Sequence, residues 1–372
     1  MHIGVPHEIK IQEHRVGLIP ASVRELTHQG HTVTVETDAG AGVNFSDDDY
    51  RAAGASIAPD AATVFATAEI IVKVKEPQAA EFSLLREGQV LFTYLHLAAE
   101  PEVTDALVAS NCIAIGYETV TGPYDGLPLL SPMSEVAGRL SIQVGAHCLE
   151  KESGGRGVLL GGVPGVEVAD VVVIGGGVAG TNAARMAMGM EARVTVLDRS
   201  LNRLKELDMQ FGPTLNTIYA TVDAVERYVL AADLVVGAVL VPGAATPQLV
   251  TAEMVSRMKR GSVLVDISID QGGCFETSRP TTHDNPTFIV DDVVHYCVTN
   301  MPAVVSRTSS VALNNATLPF VLELADKGHH RALHENVHFR AGLNVHHGHI
   351  THGAVAKALG RPYRHAEDAI QP

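Results

Sequence analysis

Residues Val171–Ala187 read VVVIGGGVAGTNAARMA, and everything else in the chain is placed around this stretch. Four consecutive branched apolar residues make a buried strand. Gly175, Gly177 and Gly180 then follow in G-x-G-x-x-G spacing, with Val178 and Ala179 between the last two, and a helical pattern of small residues comes next. The first glycine permits a tight turn and the second lets a backbone approach a pyrophosphate. The third allows strand and helix to pack closely, and the helix N-terminus faces the negative charge. The following strand, ARVTVLD, ends in Asp198, at the expected distance for an acceptor to the adenosine ribose hydroxyls. A carboxylate there repels a 2′-phosphate and favours NAD over NADP, with Arg199 and Arg203 nearby as the opposing signal. A turn with no ligand is the alternative, and the strand–loop–helix–strand context argues against it.

Outward from this loop the same rhythm repeats. On its C-terminal side ADLVVGAVL, GSVLVDISID and PTFIVDDVVHYCV read as strands. On its N-terminal side HIGVP, TVTVET, EIIVKV, QVLFTYLH and CIAIGYE do so, interleaved with helical stretches such as PASVRELTHQG, which Gly30 ends. Alternating strands and helices predict an α/β fold of two doubly wound, Rossmann-like domains with a cleft between them. SPMSEVAGRLSIQVGAHCLE and SRTSSVALNNATLPFVLELADKG read as long joining helices, the second returning the chain to the first domain. The expected division is a discontinuous substrate domain, residues 1–130 plus 305–372, and a dinucleotide domain, residues 131–304.

The chain has 372 residues, 46% of them hydrophobic, and a formal net charge of −15, which excludes a nucleic-acid binder that works through a basic face. Cys112, Cys148, Cys274 and Cys297 form no CxxC pair and read as small buried hydrophobes in a reducing compartment. The N-terminus carries charges where a signal peptide needs an apolar run, and no stretch is apolar enough to span a bilayer. A cytoplasmic protein is the expectation.

The first domain places ionisable residues at strand exits. Arg15 follows the first strand and is suited to hold a carboxylate bidentately. In IIVKVKEP, Ile70–Pro77, strand alternation puts Lys73 and Lys75 on one face at the exit. His96 ends VLFTYLH, on the side where such sheets bind ligands. Singly, each has a plain structural alternative: a solvated arginine, a solubilising strand end, a capping histidine. Their joint placement favours a site. In the second domain Asp270, after VLVDISID, is either a proton acceptor or an Asx-turn residue. Near the C-terminus His346, His347, His349 and His352 cluster without nearby carboxylates or cysteines, and read as an exposed surface with no metal.

HEIKIQEHRVGLIP, IIVKVKEP, FTYLHLA, SPMSEVAGR, VVVIGGGVAGTNAARMA, GAVLVPGA, DISIDQGG and ATLPF, in that order, resemble the NAD-dependent L-alanine dehydrogenases nearly end to end. The resemblance implies reversible oxidative deamination of L-alanine to pyruvate and ammonia, reductive amination of glyoxylate as a further reaction, and a homohexamer. It implies that Arg15 and Lys75 bind the substrate carboxylate, His96 is the acid/base, and Asp270 assists proton transfer. It places cofactor contacts on Ser134, Val178, Asp198, Arg203, Val239, Leu240, Ile267, Arg279, Asn300 and Met301, and leaves Lys73 a supporting role. Three positions depart from the family pattern. Ala220 stands where a serine is common, and His14 replaces the aromatic before the arginine. Lys327 replaces the histidine that joins an acidic residue, here Glu323, in a magnesium pair. The rival readings are the NAD-binding subunit of a proton-translocating transhydrogenase, a class without the Lys75 and His96 equivalents, and a non-catalytic NAD-binding protein.

Overall fold

The computed structural model describes residues 1–123, 126–239 and 246–371. The chain begins β1 (His2–Val5), α1 (Pro20–His28), β2 (Thr32–Glu36), α2 (Asp47–Ala52), β3 (Ser56–Ala58), α3 (Ala61–Thr67) and β4 (Ile70–Val72). It continues through β5 (Val90–Thr93), α4 (Pro101–Ser110), β6 (Ile113–Gly116) and α5 (Ser131–Cys148). Next come β7 (Asp170–Ile174), α6 (Val178–Gly189), β8 (Arg193–Asp198), α7 (Leu201–Phe211), β9 (Leu215–Tyr219), α8 (Val222–Ala231) and β10 (Leu234–Gly237). Then follow α9 (Ala252–Ser256), β11 (Val263–Asp266), β12 (Thr287–Val290) and β13 (Val293–Tyr296). The chain ends with α10 (Ser306–Glu335), α11 (Val337–Arg340), β14 (Leu343–His346), β15 (His349–Ile350), α12 (Gly353–Leu359) and α13 (Ala366–Ala369). Two compact units result, Met1–Met133 with Val305–Pro372, and Ser134–Val304.

In the first unit eight strands lie in the order β15-β14-β6-β5-β4-β1-β2-β3. The pairs from β3 to β6 are parallel, and β14 and β15 add antiparallel strands at one edge. β1, β4, β5 and β6 are apolar runs because helices cover both faces, burying Ile3, Ile71, Leu91, Phe92 and Ile115 completely. The chain fills one side of β1 with β2 and β3, then crosses to the other side with β4. The switch point thus lies between β1 and β4, where the loops after these strands diverge. The loop after β1 is held down in two ways. Gly17 packs against the end of β4, and α10 reaches over the loop: Ser310 Oγ accepts from the Val16 amide at 3.2 Å, and Asn314 Oδ1 accepts from the Ile19 amide at 2.8 Å.

The second unit has seven strands in the order β12-β13-β11-β10-β7-β8-β9, parallel except for β12. Its switch point lies between β7 and β10. The four cysteines are buried free thiols, and burial pushes Cys112 and Cys148 up to about 11. Among the described residues, no helix is long and apolar enough to cross a membrane.

Two readings from sequence need correction. β4 ends at Val72 and the chain bends at Val74 and Lys75, so strand alternation does not set the directions of the two lysines. The histidine-rich segment is not an exposed surface throughout. It forms β14 and β15; Asn344 and His346 in β14 and Thr351 just after β15 are buried, while His347 and His349 remain exposed. Burial is tolerated because Asn344 donates to Thr119 Oγ1 at 2.7 Å and to the Gly342 carbonyl at 2.8 Å, and Thr351 donates to the Leu343 carbonyl at 3.0 Å. The short strands β3 and β9 also went unrecognised in the sequence.

Candidate active site

At the switch point of the first unit, Arg15 is 2% exposed. Its Nε and Nη2 donate to the two oxygens of Glu13 at 2.7 and 2.5 Å, and its Nη1 donates to Met133 Sδ at 3.0 Å. Burial opposes the guanidinium charge, but the Glu13 carboxylate outweighs it and pushes the Arg15 pKa up. Glu13 therefore fixes one edge of the fork and keeps it charged. His14, in contrast, is exposed.

The two lysines after β4 have different surroundings. Lys73 is wholly buried, 2.8 Å from Glu81 Oε1 and 3.3 Å from Glu8 Oε2. Burial opposes its charge, and the two carboxylates overcome this and raise its pKa. Glu8 also receives the Val74 amide at 2.6 Å, so it ties the chain after β4 to the loop after β1. Lys75 is only partly buried. Burial, and next the Arg15 guanidinium, lower its pKa. Two cations are thus held within each other's field at the switch point, an arrangement that an added anion relieves.

Tyr94, just beyond β5, joins this group. Its hydroxyl donates to the Leu129 carbonyl at 2.5 Å, and its ring stacks on that of His96 at 5.9 Å. His96 is exposed and has φ 50°, unusual for a residue with a side chain. Its amide donates to Glu118 Oε1 at 2.6 Å, which steadies this backbone. Glu8, Glu13, Glu81, Tyr94, Glu118 and Met133 were all missed in the sequence. Only the HEIKIQEHR run offered a signal, because its two glutamates flank the arginine's own loop.

In the second unit the loop after β7 fits a dinucleotide pyrophosphate. Gly175 has φ 98°, and a Cβ on Gly180 would stand 1.8 Å from the Gly175 carbonyl oxygen. A Cβ on Gly177 would meet nothing within 4 Å among the described residues, leaving the N-terminus of α6 open on their side. α5 presses on the same loop, since a Cβ on Gly138 would lie 2.1 Å from the Ala179 carbonyl oxygen. Ser134 is in α5, and Val178 is exposed in the first turn of α6. Asp198 Oδ2 accepts the Gly176 amide at 2.7 Å, so this carboxylate shapes the loop as well as ending β8. Arg203 donates to the Gly176 carbonyl at 2.6 Å, to Thr181 Oγ1 at 2.7 Å and to Glu206 at 2.6 Å. Ala220 is buried, and its amide donates to the Asp198 carbonyl at 3.0 Å.

Across the switch point, Val239 follows β10, and its carbonyl accepts from Ser268 Oγ at 2.7 Å, next to Ile267. Leu240 lies outside the described residues. Asp266 is the residue that structures the turn after β11, accepting from the amides of Ser268 and Cys274 at 3.0 Å and from Ser278 Oγ at 2.6 Å. Asp270, in the same turn, is exposed. Arg279 stacks over the Phe288 ring at 4.4 Å. Asn300 has φ 55° and precedes the buried Met301. In the first unit Lys327 bridges Glu323 and Glu335, each at 2.9 Å.

Two family models match the chain, and the second runs on past the second unit into the returning segment of the first. Residues 4–137 match the alanine dehydrogenase/PNT N-terminal domain, and residues 141–353 match the C-terminal domain. An alanine dehydrogenase of Halomonas elongata is 58% identical over 370 residues, covering the full length of both chains. A solved L-alanine dehydrogenase superposes with a TM-score of 0.94 at 51% identity, over 97% of this chain and 99% of the other. A transhydrogenase from Sinorhizobium meliloti superposes with a TM-score of 0.82 at 25% identity, over 95% of this chain and 100% of the other. Sequence, strand order and loop geometry concur, and the chain belongs to the alanine dehydrogenase/PNT family.

Proposed function

We infer that this chain catalyses the reversible, NAD-dependent oxidative deamination of L-alanine to pyruvate and ammonia. The full-length relative carries that name at 58% identity, more than twice the identity to the transhydrogenase. The structural observation that carries the reading is the pairing of the Arg15 and Lys75 cations at the switch point of the first unit.

A substrate carboxylate would bind the Arg15 edge not taken by Glu13, in place of the weak Met133 sulfur acceptor, while the Lys75 ammonium holds its second oxygen. The NAD reading is supported by the glycine cradle and by Arg203, whose guanidinium is engaged with the loop and with Glu206 rather than set for a 2′-phosphate. Bound there, NAD would accept the alanine Cα hydride, converting the amine to an imine. His96 would take the proton of the water that attacks this imine and return it to nitrogen as ammonia leaves, with Asp270 assisting. Val178, Val239, Ile267, Arg279, Asn300 and Met301 would line the cofactor. Glyoxylate, smaller than pyruvate, would be aminated in the same pocket. We further propose a cytoplasmic homohexamer, which sedimentation of the purified protein tests.

The deciding assay gives purified protein L-alanine and NAD at alkaline pH and follows NADH absorbance. Absence of NADH, with NAD binding intact by calorimetry, would overturn the enzyme reading. His96→Ala should lower kcat by roughly 10²–10⁴ with NAD affinity unchanged.

A further inference from the structure

The edge hairpin of the first unit carries chemistry that the proposed reaction leaves unused. His346 pairs with His349, so His347 and Gly348 form a two-residue loop with φ values of 43° and 79°. That is the backbone pattern of a type I′ turn. α10 breaks at Gly328 (φ 72°, ψ 157°), and the residue after the break is His329. The break sets His329 against the hairpin, with its ring centroid 5.9 Å from that of His346. The His346 and His347 rings are 4.5 Å apart at 82°. One ring nitrogen from each of the three lies within 4.8 Å of the other two. His346 is 7% exposed, and its Nε2 is buried without a hydrogen-bond partner among the described residues. A buried, orphaned polar atom beside two other imidazoles is costly unless something ligates it.

We propose that His329, His346 and His347 form a binding site for a divalent transition metal that prefers imidazole, with Zn²⁺ as the ligand that fits best. Three nitrogens suit Zn²⁺, Co²⁺ or Ni²⁺, whereas Mg²⁺ and Ca²⁺ require oxygen ligands. A tetrahedral ion with bonds of about 2.0–2.1 Å needs the nitrogens to draw together by roughly 1–1.5 Å. Turning the exposed His347 ring inward supplies much of that movement, and solvent completes the fourth position. The bound ion would staple the hairpin to the second half of α10, the helix whose first half holds the loop of Arg15. This site is separate from Glu323, which Lys327 occupies.

The test uses the full chain, stripped with EDTA and titrated with Zn²⁺ by calorimetry, with Co²⁺ visible absorption reporting coordination. One equivalent per chain, tetrahedral Co²⁺ bands and a raised Tm are expected. His347→Asn keeps a residue that accepts positive φ, and should weaken binding by about tenfold or more. His349→Ala, on the same hairpin, should bind as the parent does. No saturable equivalent, or affinity as tight as the parent's in His347→Asn and His346→Asn, would overturn the proposal. Far-UV circular dichroism and alanine-dependent NADH formation in metal-free buffer verify that each variant is folded.

Discussion

Gly17 and Val72 approach so closely that a Cβ on Gly17 would lie 2.3 Å from the Val72 carbonyl oxygen. This contact seats the Arg15 loop on the end of the strand whose continuation carries Lys75. Gly17→Ala must lift the loop, and a displacement on the order of 1 Å costs about a hundredfold in rate. Steady-state kinetics should show that loss in kcat/KM for alanine, with NAD affinity retained. Unchanged kinetics would mean that the loop's seat does not position Arg15.

Lys73 is predicted to support the fold rather than to bind substrate. Lys73→Met leaves Glu8 and Glu81 buried without their cation, which should cost about 3–5 kcal/mol in urea unfolding. Changing both glutamates to glutamine in the same chain should recover most of this loss. A Lys73 variant of undiminished stability that has lost turnover would reverse the roles assigned to the two lysines.

Lys75 should behave in the opposite way. Its ammonium is disfavoured by burial and by Arg15, so Lys75→Met should leave Tm unchanged or raise it. If Lys75 holds the substrate carboxylate as proposed, the same variant should lose roughly 10- to 100-fold in kcat/KM with the charged hydrogen bond. Thermal melts and kinetics on one preparation separate the two effects.

The second unit should lose stability in mild acid. His295 is buried on β13, with one ring nitrogen 2.7 Å from Thr277 Oγ1 and the other 3.0 Å from the Val293 carbonyl. Burial lowers its pKa below the ordinary 6.5. The unfolded chain therefore binds a proton that the native ring refuses, so its contribution is complete above pH 6.5 and falls as pH drops through the lower native value. Urea unfolding at stepped pH should show this slope, and His295→Gln should flatten it.

The parts of the molecule legible in the sequence are those set by local pattern. The apolar run before Gly175 and the spacing of three glycines specify a strand, a turn and a helix without help from distant residues. Arg15, Lys75 and His96 could be placed at strand exits for the same reason. What decides their surroundings was not legible. Glu13 grips Arg15 only because its loop curls back, and Lys73 is buried only because Glu8 and Glu81 arrive from two other segments. β14 was misread because exposure was inferred from polar composition, whereas Asn344 and Thr351 satisfy their polar atoms internally. His329 approaches that hairpin through a break at a single glycine, which helical periodicity does not register.

The long return of α10 to the first unit also fixes an order of events during synthesis. Ser134–Val304 leaves the ribosome as one uninterrupted stretch, and its sheet needs nothing that comes later. The Arg15 loop, made among the first residues, must wait for Ser310 and Asn314 before its amides at Val16 and Ile19 find their acceptors. A growing chain therefore completes the second unit before the Arg15 loop is locked, and on the proposed function a nascent fragment ending near residue 304 would bind the dinucleotide but not the amino acid.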